Sequence, residues 1–200
     1  MEEIIIVFTK YPEEGKVKTR LAKTVGNAVA VEIYSRLLHH TEQQLIASNK
    51  KYVVYWGNYI PTNNVFFNSA SAHYLQCEGD LGKKMKTAFE DQFSIGYSAV
   101  YGIGCDCYQL SSKHIEEASN VLITNDVVYG PALDGGYYLM GMKKLEPILF
   151  DDLPWSTEQL LEICKQRLKK KSVSFDVITT VSDVDYYKDL PQIWKDEFRV

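Results

Sequence analysis

The chain has 200 residues, 46% hydrophobic and 24% charged, enough for a core of ordinary globular size and for one domain over 1–200. A formal net charge of -4 argues against a general binder of nucleic acid or anionic membrane, so any anion site has to be local. No apolar run approaches the roughly 18 residues of a membrane helix, two glutamates follow Met1 where a secretory leader would be positive, and four cysteines are too few for a disulfide framework. The expectation is a cytoplasmic protein with no membrane insertion.

In chain order, residues 3–9 are short, β-branched and uninterrupted, which predicts a buried strand. Residues 10–25 read as loop. Ala30, Ile33, Leu37 and Leu38 keep helical spacing, with Leu45 beyond, and predict a helix over 27–48 with Asn27 as its cap. A strand over 51–56 precedes an irregular stretch, 58–71, rich in Asn, Ser, Pro and Thr, and then a short strand at 73–77. Asp80 is placed to cap a helix whose apolar stripe is Leu81, Met85, Ala88, Phe89 and Phe93. An apolar strand follows at 98–104, then a helix over 111–119 with Ser111 as cap, and a weak strand at 120–123. Strands at 126–130 and 137–142 flank the turn PALDGG. A helix over 157–169, capped by Ser156, ends in a lysine run that suits its negative end. A strand at 173–178 and a last helix over 185–194, with Asp185 as cap, complete the chain. Strand and helix alternate through the first half, which predicts a parallel sheet covered on both faces. The stretch from 126 to 142 predicts a mixed, partly antiparallel edge.

In open α/β sheets ligands bind beyond the carboxyl ends of the strands, so the residues that follow strands carry the functional information. The first such stretch is KYPEEGKVKTRL, 10–21, with Lys10, Lys16, Lys18 and Arg20. Gly15 lets backbone N–H groups approach a ligand, and the cations suit phosphate oxygens. Neither a Walker A loop nor a G-x-G-x-x-G turn is present, so a solvated basic loop is the competing reading. The second stretch, IGCDCYQL, ends a strand in Asp106, a position for a carboxylate that holds Mg²⁺ against phosphate or simply closes a turn. In the third, Asp134 stands beside Gly135 and Gly136, as a ligand-side turn or a plain hairpin turn. Asp183 and Asp185 have D-x-D spacing. Cys105 and Cys107 read as small buried residues; a zinc or redox site on them lacks a second cysteine pair, and His39, His40, His73 and His114 have no ligand spacing.

Taken together, K-x-P-x-x-G-x-V-K-T-R-L, G-D-L-G-x-x-M-x-x-A-F, I-G-x-D-C, G-P-A-x-D-G-G-Y-Y-L and W-S-T follow one another in this chain. In that order they resemble the bacterial glycosyltransferase-like proteins of the nucleotide-diphospho-sugar transferase superfamily, related to the guanylyltransferases of molybdenum cofactor and 2-phospholactate. The resemblance implies an α/β fold of GT-A type, a three-layer α/β/α sandwich on a mainly parallel mixed sheet. It implies nucleotide binding by Lys10, Gly15, Lys18, Arg20, Gly79 and Asp80, and a metal, Mg²⁺ or Mn²⁺, on Asp106. It places Gly135, Gly136, Trp155 and Ser156 on the acceptor side, and it makes Asp106, Asp134 and Arg20 catalytic. The implied partners are a nucleoside triphosphate or nucleotide-sugar and a small-molecule acceptor, with no nucleic acid. In nucleotidyl transfer Lys18 and Arg20 would stabilise leaving pyrophosphate; in glycosyl transfer Asp134 would be the base. The family usually reads I-G-[ST]-D-C-P where this chain has Cys105 and Tyr108. That difference supports an alternative, a non-catalytic nucleotide-binding protein with a degenerate transferase site.

Overall fold

Successive side chains of a strand point to opposite faces, and the first strand is apolar on both. In the computed structural model, which describes residues 2–63 and 65–199, β1 (Glu3–Thr9) sends Ile4 and Ile6 into one core and Ile5 and Val7 into another. Met1, Val200 and Asn64, the last of these within the stretch expected to be irregular, lie outside the described residues. The other strands are β2 (Tyr52–Trp56), β3 (His73–Leu75), β4 (Ala99–Ile103), β5 (Val127–Pro131), β6 (Tyr137–Met142) and β7 (Phe175–Val177). They form one seven-stranded sheet in the order β3-β2-β1-β4-β6-β5-β7. β1 pairs in parallel with β2 and β4, and β7 in parallel with β5; β6 runs against both neighbours. The expected mixed, partly antiparallel region is observed, with β6 inside the sheet rather than at its rim and all its residues after Tyr137 buried.

α2 (Asn27–Ser48) and α4 (Ser112–Thr124) cover one face through Leu38, Leu45, Ile115, Ala118 and Leu122. α3 (Leu81–Ile95) and α5 (Leu160–Lys170) cover the other through Met85, Phe89, Leu160 and Cys164. This is an α/β sandwich on a mixed, mainly parallel sheet, as expected. A smaller cluster joins the chain's two ends. Leu21 of α1 (Thr19–Val25) packs with Ile33 and Leu37 of α2, with Val184 and Leu190, and with Trp194 of α6 (Gln192–Glu197). It brings the segment at 182–190 against the loop after β1.

Several local expectations are corrected. The stretch 10–25 is not all loop, since it ends in α1; a seven-residue helix that buries one side chain carries too little periodicity to be read. Gly26, not Asn27, is the cap of α2. The weak strand at 120–123 is the end of α4, whose buried Ile115, Ala118 and Leu122 keep a helical stripe. α5 starts at Leu160; Ser156 does not cap it and has φ 62. The last expected helix is interrupted: a 3-10 turn, Tyr187–Asp189, gives way to extended Leu190 before Pro191, which disfavours helix in the residue ahead of it. The Asp80 cap is observed as expected, its side chain accepting the N–H of Lys83 at 2.8 Å.

Candidate active site

β1 and β4 are neighbours, so the loops after Thr9 and Ile103 leave the sheet side by side. Lys18 adopts φ 45, ψ 43, a left-handed conformation that a lysine holds only at a cost of about 1 kcal/mol or more. Its Nζ lies 2.5 Å from Oδ1 of Asp106 and 3.6 Å from Oδ1 of Asp185. Arg20 reaches Oδ2 of Asp185 at 2.7 Å. The side chain of Lys18 is 5% exposed, whereas those of Asp106 and Asp185 are 49% and 39% exposed. Burial works against the ammonium, but Asp106, and behind it Asp185 and Asp183, outweigh burial and hold the pKa above its ordinary value.

The 182–185 segment is fixed from both sides. The N–H of Val184 donates to the carbonyl of Asp106 at 2.8 Å, and the N–H of Ser182 to Oε1 of Gln109 at 2.9 Å. Val181 pairs with Ala132 in the turn between β5 and β6. Asp183 accepts the thiol of Cys107 on Oδ1 at 2.7 Å. Burial, opposed by that thiol but aided by the charges of Asp106 and Asp134, pushes Asp183 up from 3.8 to about 6. Its folded value lies above its unfolded one, so folding takes up a proton in that window. A penalty present at neutral pH disappears as pH falls through it. Asp183→Asn removes the penalty. In urea unfolding the variant should exceed the wild type by about 1–3 kcal/mol at pH 8, and the gap should close towards pH 4. A gap that widens on acidification contradicts this origin.

Three connected cavities surround these residues. A basic basin of about 440 Å³ is lined by Lys10, Lys16, Lys18 and Arg20, with Tyr34 and Gln76 on its wall. Tyr34 is tied to Oγ1 of Thr9 at 2.9 Å and accepts the N–H of Lys10 at 3.2 Å, which fixes the start of the loop. A second basin of about 310 Å³ shares Phe8, Leu81 and Asp106 with the first and adds Met85, Tyr137 and Trp155. Asp134 and Asp183 also line it. A third, about 470 Å³, opens between Arg20, Asp134 and Asp185.

The structure brings together Lys10, Lys18, Arg20 and Asp106 around the basic basin, and Asp134, Gly136, Trp155 and Ser156 around the second. It does not bring Gly15, Gly79, Gly135 or Asp80 into any of the three linings. Gly15, at φ 74, turns the exposed loop tip, and the carboxylate of Asp80 is occupied as a helix cap. Gly135 lets the turn pack on the backbone of Glu158. Asp185 does not cap a helix: it faces Lys18 and Arg20, and Asp189 accepts the N–H groups of Asp185 and Tyr186. Asp183, Tyr34 and Gln76 were not legible as site residues; the D-x-D spacing was the one available signal. Cys105 and Cys107 are buried, and burial pushes the Cys105 thiol up to about 12 and the Cys107 thiol upward too. Protonated thiols of this kind are poor metal ligands, and among the described residues no three His, Cys, Asp or Glu side chains are grouped to hold a metal ion.

The mixed seven-stranded sheet covered by helices on both faces is the fold of solved nucleotide-diphospho-sugar transferases and nucleotidyltransferases. A provisionally assigned nucleotide-diphospho-sugar transferase from Desulfovibrio desulfuricans G20 matches 98% of this chain and 87% of its own, with a TM-score of 0.89 and 28% identity. The inositol-1-phosphate CTP transferase from T. maritima matches 99% of this chain and 95% of its own, with a TM-score of 0.65 and 10% identity. CMP:2-keto-3-deoxy-manno-octonic acid synthetase, solved with CTP, matches 99% and 97% at a TM-score of 0.58 and 10% identity. At 10% identity the likeness shows the fold alone. Residues 39–157 match the family described as uncharacterized protein conserved in bacteria (DUF2064), and the chain belongs to that family. No curated protein matches the sequence. Among the described residues no helix is long and apolar enough to cross a membrane.

Proposed function

We propose that the protein is a nucleotide-dependent transferase. It takes a nucleoside triphosphate by its phosphates in the basic basin and passes the nucleotidyl group to an acceptor in the second basin. The observation that carries this reading is Lys18, an almost fully buried ammonium on strained backbone in the basic basin, paired with Asp106, which lines both basins. A buried charge is expensive, and strained, charge-perturbed residues in clefts are functional candidates. Lys10, Lys16 and Arg20 supply the further positive charge a triphosphate requires. The solved relatives named as a CTP transferase and as a synthetase bound to CTP support the triphosphate.

The donor set fits Mg²⁺ or Mn²⁺ shared with phosphate. Lys18 takes Oδ1 of Asp106, and among the described residues nothing takes Oδ2. Magnesium is commonly held by one or two carboxylates, substrate phosphates and water. Asp106 would hold it, and when bound it would neutralise phosphate charge. Lys18 and Arg20 orient the phosphates and stabilise the pyrophosphate as it departs. The acceptor oxygen bonds to the α-phosphorus as the bond to pyrophosphate breaks, and Asp134 or Asp183 receives the acceptor's proton. The 28% identical relative favours a second reading, glycosyl transfer from a nucleotide-sugar, with Asp134 as base.

Isothermal calorimetry with GTP, CTP, UTP, ATP, UDP-glucose and GDP-mannose, with and without Mg²⁺, tests the proposal. One triphosphate should bind in a Mg²⁺-dependent manner, about tenfold or more weakly to Asp106→Asn. Preference for a sugar nucleotide selects the second reading, and tight binding without turnover of any acceptor selects the non-catalytic alternative. Absence of binding to all six leaves KYPEEGKVKTRL a solvated loop.

A further inference from the structure

The second basin contains no cation. Its charged lining is Asp106, Asp134 and Asp183, and its apolar walls include Phe8, Met85, Tyr137 and Trp155. On the other side of Asp106, the basic basin has four cations. The charge of the cleft therefore changes sign across one residue. We propose that the second basin selects against anionic acceptors and takes a molecule with an apolar or ring body that ends in an ammonium or hydroxyl group. The word acceptor rests on the transferase reading; the selectivity is the basin's own.

Asp134 uses Oδ1 to accept the N–H of Gly136 at 2.9 Å, and Asp183 uses Oδ1 to accept the Cys107 thiol. Among the described residues nothing takes the second oxygen of either. Ionised carboxylates only accept hydrogen bonds, so an ammonium or hydroxyl satisfies them, whereas a carboxylate or phosphate meets like charge in a partly enclosed, weakly screened space. The indole of Trp155 and the phenol ring of Tyr137 suit a ring body, and an aromatic face attracts an ammonium. Lys18 pairs with Asp106, and a metal there would offset that carboxylate further; Asp134 and Asp183, which do not line the basic basin, carry the selectivity.

Tyramine, tyrosol and 4-hydroxyphenylacetate share one ring and differ in ending as ammonium, hydroxyl and carboxylate. They can be titrated against Trp155 fluorescence, with Trp155→Phe assigning the signal, on the protein alone and on protein loaded with Mg²⁺ and the nucleotide that calorimetry selects. Tyramine and tyrosol should bind about tenfold or more tightly than 4-hydroxyphenylacetate, and Asp134→Asn with Asp183→Asn should narrow the gap to about threefold or less. Asp134→Asn alone, at an exposed turn, should narrow it in part, which keeps the test open if the double variant does not fold. Equal or tighter binding of the carboxylate, no response to any probe, or a gap unchanged in both variants overturns the inference. A gap that holds in a protein that binds no nucleotide overturns the transferase reading alone; nucleotide binding without the gap overturns only this inference.

Discussion

Lys18→Met should weaken nucleotide binding by about tenfold to a hundredfold at a small cost to the fold. Asp106→Asn should harm the fold more. The ammonium at position 18 is the most buried cation of the basic basin's ion pairs, and a charge-assisted hydrogen bond to phosphate contributes about 1.5–3 kcal/mol. Replacing Lys18 removes a buried charge and leaves Asp106 and Asp185, each more than a third exposed, to water. Replacing Asp106 does the opposite. The ammonium stays buried, loses its 2.5 Å contact and keeps Asp185 only at 3.6 Å. Stranding one partner of a buried pair is the destabilising direction. Because Asp106 is half exposed we expect a loss of about 1–3 kcal/mol rather than the full buried-pair cost. Calorimetry and thermal melting of both variants check this. Melting of Lys18→Met well below Asp106→Asn, or unchanged nucleotide affinity in Lys18→Met, contradicts it.

Gly135→Ala should lower stability by about 3 kcal/mol or more, a fall in melting temperature of about 6–12 °C for a chain of this size. A Cβ at this position would stand 2.0 Å from the carbonyl oxygen of Glu158 and 2.6 Å from its carbonyl carbon and Cα. The obstacle is backbone, so no side chain can rotate away. The residue also has φ 87, a conformation that L side chains rarely adopt. Retreat is restricted because the N–H of Leu161 donates to the carbonyl of Gly135 at 3.1 Å, joining the turn to the start of α5. The same turn carries Asp134, so a surviving fraction of the variant should have a displaced carboxylate in the second basin. Gly15→Ala is the control: φ is 74 but nothing lies within 4 Å, and about 1 kcal/mol is expected. Equal melting of the two variants would show that the contact at Glu158 is not rigid.

The same contrast separates local from distant information. Local physics was legible in β1, in α2 and in α3 with its Asp80 cap, because strand alternation, helical spacing and cap chemistry all act within a few residues. The rule that ligands gather at strand carboxyl ends points to the loops that carry Lys10, Lys18, Arg20 and Asp106 without choosing between a ligand site and a solvated loop, and the fold places all four around one basin. α1 has one buried residue and so no periodic signal, and the end of α4 is a short apolar run that fits strand and helix alike.

The sequence by itself determined the layers, the class of fold and the cationic half of the cleft. Tertiary structure alone decided the roles of Asp183 and Asp185. Asp185 meets Arg20 across a separation of 165 residues, and Asp183 meets Cys107 across 76. An aspartate ahead of a helix looks the same in sequence whether it caps that helix or turns to a distant lysine. Only the docking of Leu21, Val184 and Leu190 in one small cluster, and the backbone bond from Val184 to Asp106, chooses between those roles. Long-range packing sets that choice, and no local spacing encodes it.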